Sequence, residues 1–407
     1  MRSSTAIISL SLGLCAGLAM ADDAESYDPE IAQLLEGSQA ALNSLTIEPA
    51  FESIPDDVEL PTLGPDFTAS YDPGHGIAGS EAENLDTLPG GLNGGDTEDF
   101  SPASELSEDD LFRETLKQLF PADPVQQAWN VGNLVRLDRP VENVTQDFGA
   151  VQTAGNMLDA PLVILADAGI SQDGINLGNI LVAETVSTVS QNLMDGAGQV
   201  IENEAVLGGF APYLTQSGIN AANIIDAEVS IGTGNQVFPE GVSQEISNLA
   251  DFSPGMTTFL VEQTGINVGN VMQSETMNDV DRVFAGAQIV ENTLILNSSM
   301  PMPAMIVQEG TNIANLVIAE SVTELTQIST GTQDVVNLVL DENMEPITGL
   351  GDTLLSTTNN YVNVLVITTE VDGEDEVVTA TQLADFDQTV AINGQHSQIG
   401  NSVTIDR

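Results

Sequence analysis

"VEQTGINVGN", residues 261–270, reads Gln-x-Gly-x-Asn-x-x-Asn. The same spacing returns at Gln172-Asn176-Asn179, Gln216-Asn220-Asn223 and Gln308-Asn312-Asn315, and at Gln126-Asn130-Asn133 with Ala in place of Gly. The first Asn of each set falls at 130, 176, 220, 267 and 312, a repeat of about 45 residues, and a looser sixth copy holds Asn360 and Asn363. About 25 residues into each copy stands a second amide pair: Gln152-Asn156, Gln199-Asn203, Gln244-Asn248, Gln288-Asn292 and Gln333-Asn337. Twelve residues after each leading Gln comes an acid: Asp138, Glu184, Glu228, Glu275 or Glu320.

Amides are poor nucleophiles, acids, bases and metal ligands, so their recurrence asks for a structural reason. A helix would carry Gly174, Gly178, Gly218, Gly265 and Gly269 at about 1 kcal/mol apiece relative to Ala. The β-branched stretch "TNIANLVIAESVTELTQIST" also favours strand. Laid out with period two, one strand face reads Gln172, Gly174, Asn176, Gly178 and Ile180, and the other Ile175, Leu177, Asn179 and Leu181. If corresponding strands stack in register, like amides meet about 5 Å apart, and each both donates to and accepts from the next. The expected fold is all-β: a β-solenoid of five to six repeats over residues 126–340. Residues 341–407 read as a degenerate repeat or C-terminal cap. The competing reading makes these Asn turn residues with no mutual contact.

Working outward, the chain opens with one Arg, an apolar run of about fifteen residues and Ala19-Met20-Ala21, which reads as a secretory signal peptide over residues 1–21. Cys15 lies inside that run, so the exported chain is expected to be cysteine-free and without disulfides or thiolate metal sites. A net charge of -54, from 61 acidic and 7 basic residues, makes nucleic acid and anionic lipid poor partners. Residues 22–125 hold 25 of those acids and ten of the 18 prolines, and read as a disordered acidic arm. Two short helices are expected to interrupt it: "DPEIAQLLEGSQAALNSL", capped by Asp28 with Pro29 at the first helical position, and "SEDDLFRETLKQLF", stopped by Pro121.

Catalytic motifs are sparse. "YDPGHGIAG", residues 71–79, is similar to the Asp-Pro-Gly-His-Gly motif of zinc-dependent cell-wall amidases, matching at Asp72, Gly74, His75 and Gly76. Such a site needs further ligands, and the formal candidates are Glu81, Glu83 and the distant His396. The acids at Asp138, Glu184, Glu228, Glu275 and Glu320 are candidates for divalent cations such as calcium, since stacked like charges repel and hard cations prefer carboxylate oxygen. Solvated turn acids are the plainer reading. No cofactor is expected.

"VEQTGINVGN" and "TQSGINAANI" resemble the curlin repeat of bacterial curli fibres, in which Gln, Gly and Asn recur as Gln-x-Gly-x-x-Asn and the amides stack in ladders. Gln263 and Gly265 follow the opening of that pattern, with Asn267 one place early. "GAGQVIENEAVL" is similar to segments of Fap-type fibre subunits. The unit here is twice as long as a curlin repeat and far more acidic. The resemblance implies a secreted, non-catalytic fibre or biofilm-matrix subunit, its partner other copies of itself, located outside the cell or at its surface. The alternative is a monomeric solenoid binding module for a surface, ice or polysaccharide; a zinc amidase is more remote.

Overall fold

The computed structural model describes residues 30–46, 125–137, 139–165, 169–347, 349–368, 379–384, 387–390 and 395–406. Nearly all of them are β-strand, and every strand pair is parallel. The chain winds as a solenoid whose rungs each take about one 45-residue repeat. Strand β1 (Glu30–Thr46) is a half-rung. The first full rung is β2 (Val125–Leu137) and β3 (Val141–Ile164), the second β4 (Ile170–Leu193) and β5 (Gly198–Phe210), and the third β6 (Tyr213–Phe238), β7 (Ser243–Asp251) and β8 (Met256–Thr257). Then come β9 (Leu260–Phe284) with β10 (Ala287–Leu296), β11 (Met305–Ser329) with β12 (Thr332–Asp341), and β13 (Leu354–Thr368) with β14 (Thr379–Ala384) and β15 (Asp387–Val390). A last strand, β16 (Gln395–Asp406), lies on β13. Residues 341–407 therefore continue the solenoid where they are described.

Register follows the repeat. Gln172 pairs with Gln216, Asn176 with Asn220 and Asn179 with Asn223, and the same pairs recur between β6 and β9 and between β9 and β11. Inside the coil, amide columns alternate with apolar layers. Leu158, Ile170, Leu207 and Leu214 fill one end of the cross-section, and Val144, Leu181, Ile225 and Met272 the other. Two layers lie between: Ile201, Ile246, Val290 and Val335, then Phe148, Phe238 and Phe284. The rings of Phe238 and Phe284 stack with centroids 4.4 Å apart. The small residues make room for these layers. A Cβ on Gly218 would stand 2.5 Å from Ile246 Cγ2, and one on Gly265 would stand 2.3 Å from Val290 Cγ1. In the first rung the equivalent positions are Ala128 and Ala154, so a larger residue on one wall coincides with a smaller one on the other.

Two sequence expectations change. Residues 28–45 were expected as a helix; residues 30–46 are instead strand β1, paired with β3 from Glu30↔Asn143 to Thr46↔Asp159. The apolar spacing suits a helix locally, but burial of Ile31, Leu35 and Ala41 against the core layers decides for strand. Strict alternation also placed Asn176 and Asn179 on opposite faces. Both are fully buried inside, because the ladder skips Gly178 and the strand bends there, which turns Ile180 to the other side from Leu181. The bend brings Leu177 and Ile180 into one crease with Ala221, Ile224, Val268 and Val271. The expected helix in "SEDDLFRETLKQLF", the rest of the acidic arm and the signal peptide lie outside the described residues.

Candidate functional site

The amides form continuous hydrogen-bonded columns. Gln172 Nε2 donates to Gln126 Oε1 at 2.8 Å, Gln216 to Gln172 at 2.8 Å, Gln263 to Gln216 at 2.8 Å and Gln308 to Gln263 at 2.9 Å. Asn130 Nδ2 donates to Asn176 Oδ1 at 2.9 Å, and the column continues through Asn220, Asn267 and Asn312 to Asn360 at 3.0 Å per step. A parallel column runs from Asn133 through Asn179, Asn223, Asn270, Asn315 and Asn363 to Asn401 at 2.8 to 2.9 Å. The second-half pairs build two more, one from Gln39 through Gln152 to Gln333 and one from Asn43 through Asn156 to Asn337.

The columns have a direction. Each Gln donates to the rung before it, whereas each Asn donates to the rung after it. The orientation is set from across the coil. The other N–H of Asn176 goes to Val200 O at 2.9 Å, that of Gln152 to Leu177 O at 2.9 Å, and that of Gln216 to Leu249 O at 2.9 Å. A backbone carbonyl can only accept, so it fixes which end of each amide faces it. An interior amide such as Asn220 or Gln216 thus spends both N–H groups and accepts from a neighbour. A buried polar group left without partners would cost about 1 to 3 kcal/mol.

One column went unread in the sequence: Gln33, Gln146, Gln191 and Gln236, with donor bonds of 2.7 to 2.9 Å. Next in it stands Arg282, fully buried, with Nε and Nη2 both donating to Gln236 Oε1. Arg282 Nη1 has no partner among the described residues, and burial holds its guanidinium well below the usual value. Gln327 follows at the equivalent register. A signal for this column existed: Gln33-x5-Gln39-x3-Asn43 has the same form as Gln146-x5-Gln152-x3-Asn156. The leading Gln column stops at Gln308, whose Oε1 has no partner among the described residues. The sixth rung offers Ser356 there, whose hydroxyl accepts from Asn337.

The acids Glu184, Glu228, Glu275 and Glu320 line one open groove together with Asp226; Asp138 lies outside the described residues. Burial, aided by Glu228, pushes the Asp226 carboxyl up. Among the described residues no group of three or more His, Cys, Asp or Glu side chains is arranged to hold a metal ion. Asp72, His75, Glu81 and Glu83 fall outside the described residues, and His396 lies on β16, paired with Thr358.

The end rungs repeat most of the columns but are uncovered by other described strands. Gln398 and Asn401 on β16 are exposed, and Val403, at the register of the buried Leu365, is 53 % exposed. At the other end Trp129 is 49 % exposed, against partial burial of Ile175 at the same register.

No known protein family, curated protein or solved structure matches the chain.

Proposed function

We propose that this chain is an exported, non-catalytic structural protein that assembles with copies of itself into extracellular fibres or matrix. The carrying observation is that its two terminal rungs keep most of the interior's columns while their outer edges, among the described residues, have no neighbouring strand. Uncovered parallel edges are templates for further strands, and columns of stacked amides extend without change of geometry when another rung is added. The leader-like N-terminus, the pattern-level resemblance to curlin repeats and the strongly acidic composition, which keeps an unassembled chain soluble, agree with this reading. A second reading, a monomeric binding module, is favoured by the acidic groove along one side of the coil.

Negative-stain microscopy of the purified exported form, with and without sonicated seeds, separates the two. The fibre reading expects unbranched filaments whose growth seeds accelerate. A monomer that stays monodisperse over days, at low and high salt, overturns it.

A further inference from the structure

The two ends of the solenoid are unequal halves that fit one another. At the N-terminal end β1 covers only the second half of the first rung, residues 143–159, and the outer edge of β2 has no strand partner among the described residues. At the C-terminal end β16 covers only the first half of the sixth rung, residues 357–368, and the outer edges of β14 and β15 have none. Each end is a coil with one half raised by a step, and the raised half is the first at one end and the second at the other.

We propose that copies of this chain join head to tail, β16 of one copy pairing with β2 of the next while β1 of that next copy pairs with β14 and β15 of the first. Together the two half-rungs complete one coil. This rests on the fibre reading above and specifies its contact.

Three observations support it. The first is spacing: β1 holds Gln33 and Gln39 with five residues between them, and β14 and β15 hold Gln382 and Gln388, also with five between, at the register of the same two columns. The rungs beside the two ends keep the same spacing at Gln146–Gln152 and Gln327–Gln333, whereas Gln191 and Gln199, and Gln236 and Gln244, deeper in the coil, are separated by seven. The second is register: continuing the repeat sets Asn401 opposite Asn133 and Ser397 opposite Trp129. The third is hydrogen-bond direction. Asn130 Oδ1 and Asn133 Oδ1 accept from no described residue, because in the Asn columns the donor comes from the preceding rung. Gln33 and Gln39 each give one N–H to a backbone carbonyl, Leu134 O and Val131 O, and their second N–H points along columns whose donors face the preceding rung. A head-to-head contact would set Asn acceptor against Asn acceptor and pair the strands antiparallel. A head-to-tail contact continues the Asn133 column through Asn401, and the Gln33 and Gln39 columns at the register of Gln382 and Gln388, each in its own direction.

Cross-linking reads the polarity directly. Neighbouring strands lie about 4.8 Å apart, within the Cα separation that a disulfide spans. In the full chain carrying Cys15→Ser, the pair Trp129→Cys with Ser397→Cys, both at exposed or half-exposed positions, is oxidised under filament-forming conditions and run on a non-reducing gel. The expected result is a ladder of covalent multimers from the double variant and monomer alone from each single variant. The pair Val131→Cys with Ile399→Cys should repeat it. Dimers from Trp129→Cys alone would show head-to-head contacts and overturn the proposal. Filaments without cross-links in either pair would overturn this contact while leaving the fibre reading intact. No filaments and no cross-links would overturn both.

Discussion

Arg282 takes the place of a glutamine in the column after Gln236, and two of its nitrogens crowd one acceptor: Nε and Nη2 bind Gln236 Oε1 at 2.9 and 2.6 Å. Its Nη1 is left without a partner among the described residues, and burial alone holds its guanidinium low. Replacing buried ionic groups by neutral residues that fit is often neutral or stabilising by about 1 to 4 kcal/mol, and here no partner charge among the described residues is lost.

Arg282→Gln is therefore expected to raise stability by about 1 to 3 kcal/mol, measured by guanidinium unfolding at neutral pH. The sign of its pH dependence follows from burial. The folded pKa lies below the unfolded one, so the penalty on the parent is complete at pH below the folded value and shrinks as pH rises toward the unfolded one. The gap between variant and parent should narrow at high pH. A destabilised variant at neutral pH would mean the guanidinium is held by a group the account lacks.

Gly218 faces Ile246 with no room for a side chain. Gly218→Val should cost about 1 to 3 kcal/mol through overpacking. Gly218→Ala and Ile246→Ala together recreate the Ala128 and Ala154 pairing of the first rung, so the double variant should lose at least about 1 kcal/mol less than the sum of the single ones. Additive losses in a thermal or chemical unfolding series would show that the two walls do not pack as described.

Asp173, Asp226 and Glu309 all have carboxyl groups pushed up by burial, Asp226 additionally by Glu228 and Glu309 by Glu262. A raised folded pKa gives stability that is complete below the unfolded value, about 4, and is lost as pH rises through the folded value. Asp341 and Glu342 act oppositely: backbone N–H bonds from Glu345 and Asn343 lower the first, and the Ser298 hydroxyl and N–H lower the second, so their contribution fades in acid. Between neutral pH and about 4 the buried set dominates. The unfolding midpoint should rise on acidification through that window, and Asp173→Asn, Asp226→Asn and Glu309→Gln together should flatten the rise. A midpoint that falls throughout would count against it.

Most of the coil was legible because strand stacking writes itself into sequence as constant offsets: the fifteen amides from Gln126 to Asn315 recur with their spacing intact, and Gly at interior positions argued against helix. What escaped did so for identifiable reasons. Period-two alternation cannot anticipate the bend at Gly178, so Asn179 was assigned to the wrong face. The Gln146 column was hidden by turns of unequal length, since Gln146 precedes Gln152 by six residues but Gln191 precedes Gln199 by eight, and by Arg282 standing in one rung. Residues 30–46 carry Ile31, Leu34, Leu35 and Leu42 behind Asp28 and Pro29, a pattern that satisfies a helix locally. Only docking on the first rung gives its Gln33, Gln39 and Asn43 their partners: the amides of β3, 113 residues away, and backbone carbonyls of β2.

The central claim is that the buried amide columns hold the rungs together. Asn176, Asn220, Asn267 and Asn312 are all fully buried, and each both donates and accepts along its column. Changing all four to Asp removes the donors and sets like charges one rung apart, about 3 kcal/mol per neighbouring pair at a separation near 5 Å and an effective dielectric near 20. Together with the lost donor bonds this approaches or exceeds the roughly 5 to 15 kcal/mol by which a domain is stable. Circular dichroism of the quadruple variant should show its β signal lost at neutral pH and partly regained in acid, as the new carboxyls are protonated. An undiminished β signal at neutral pH would contradict the account.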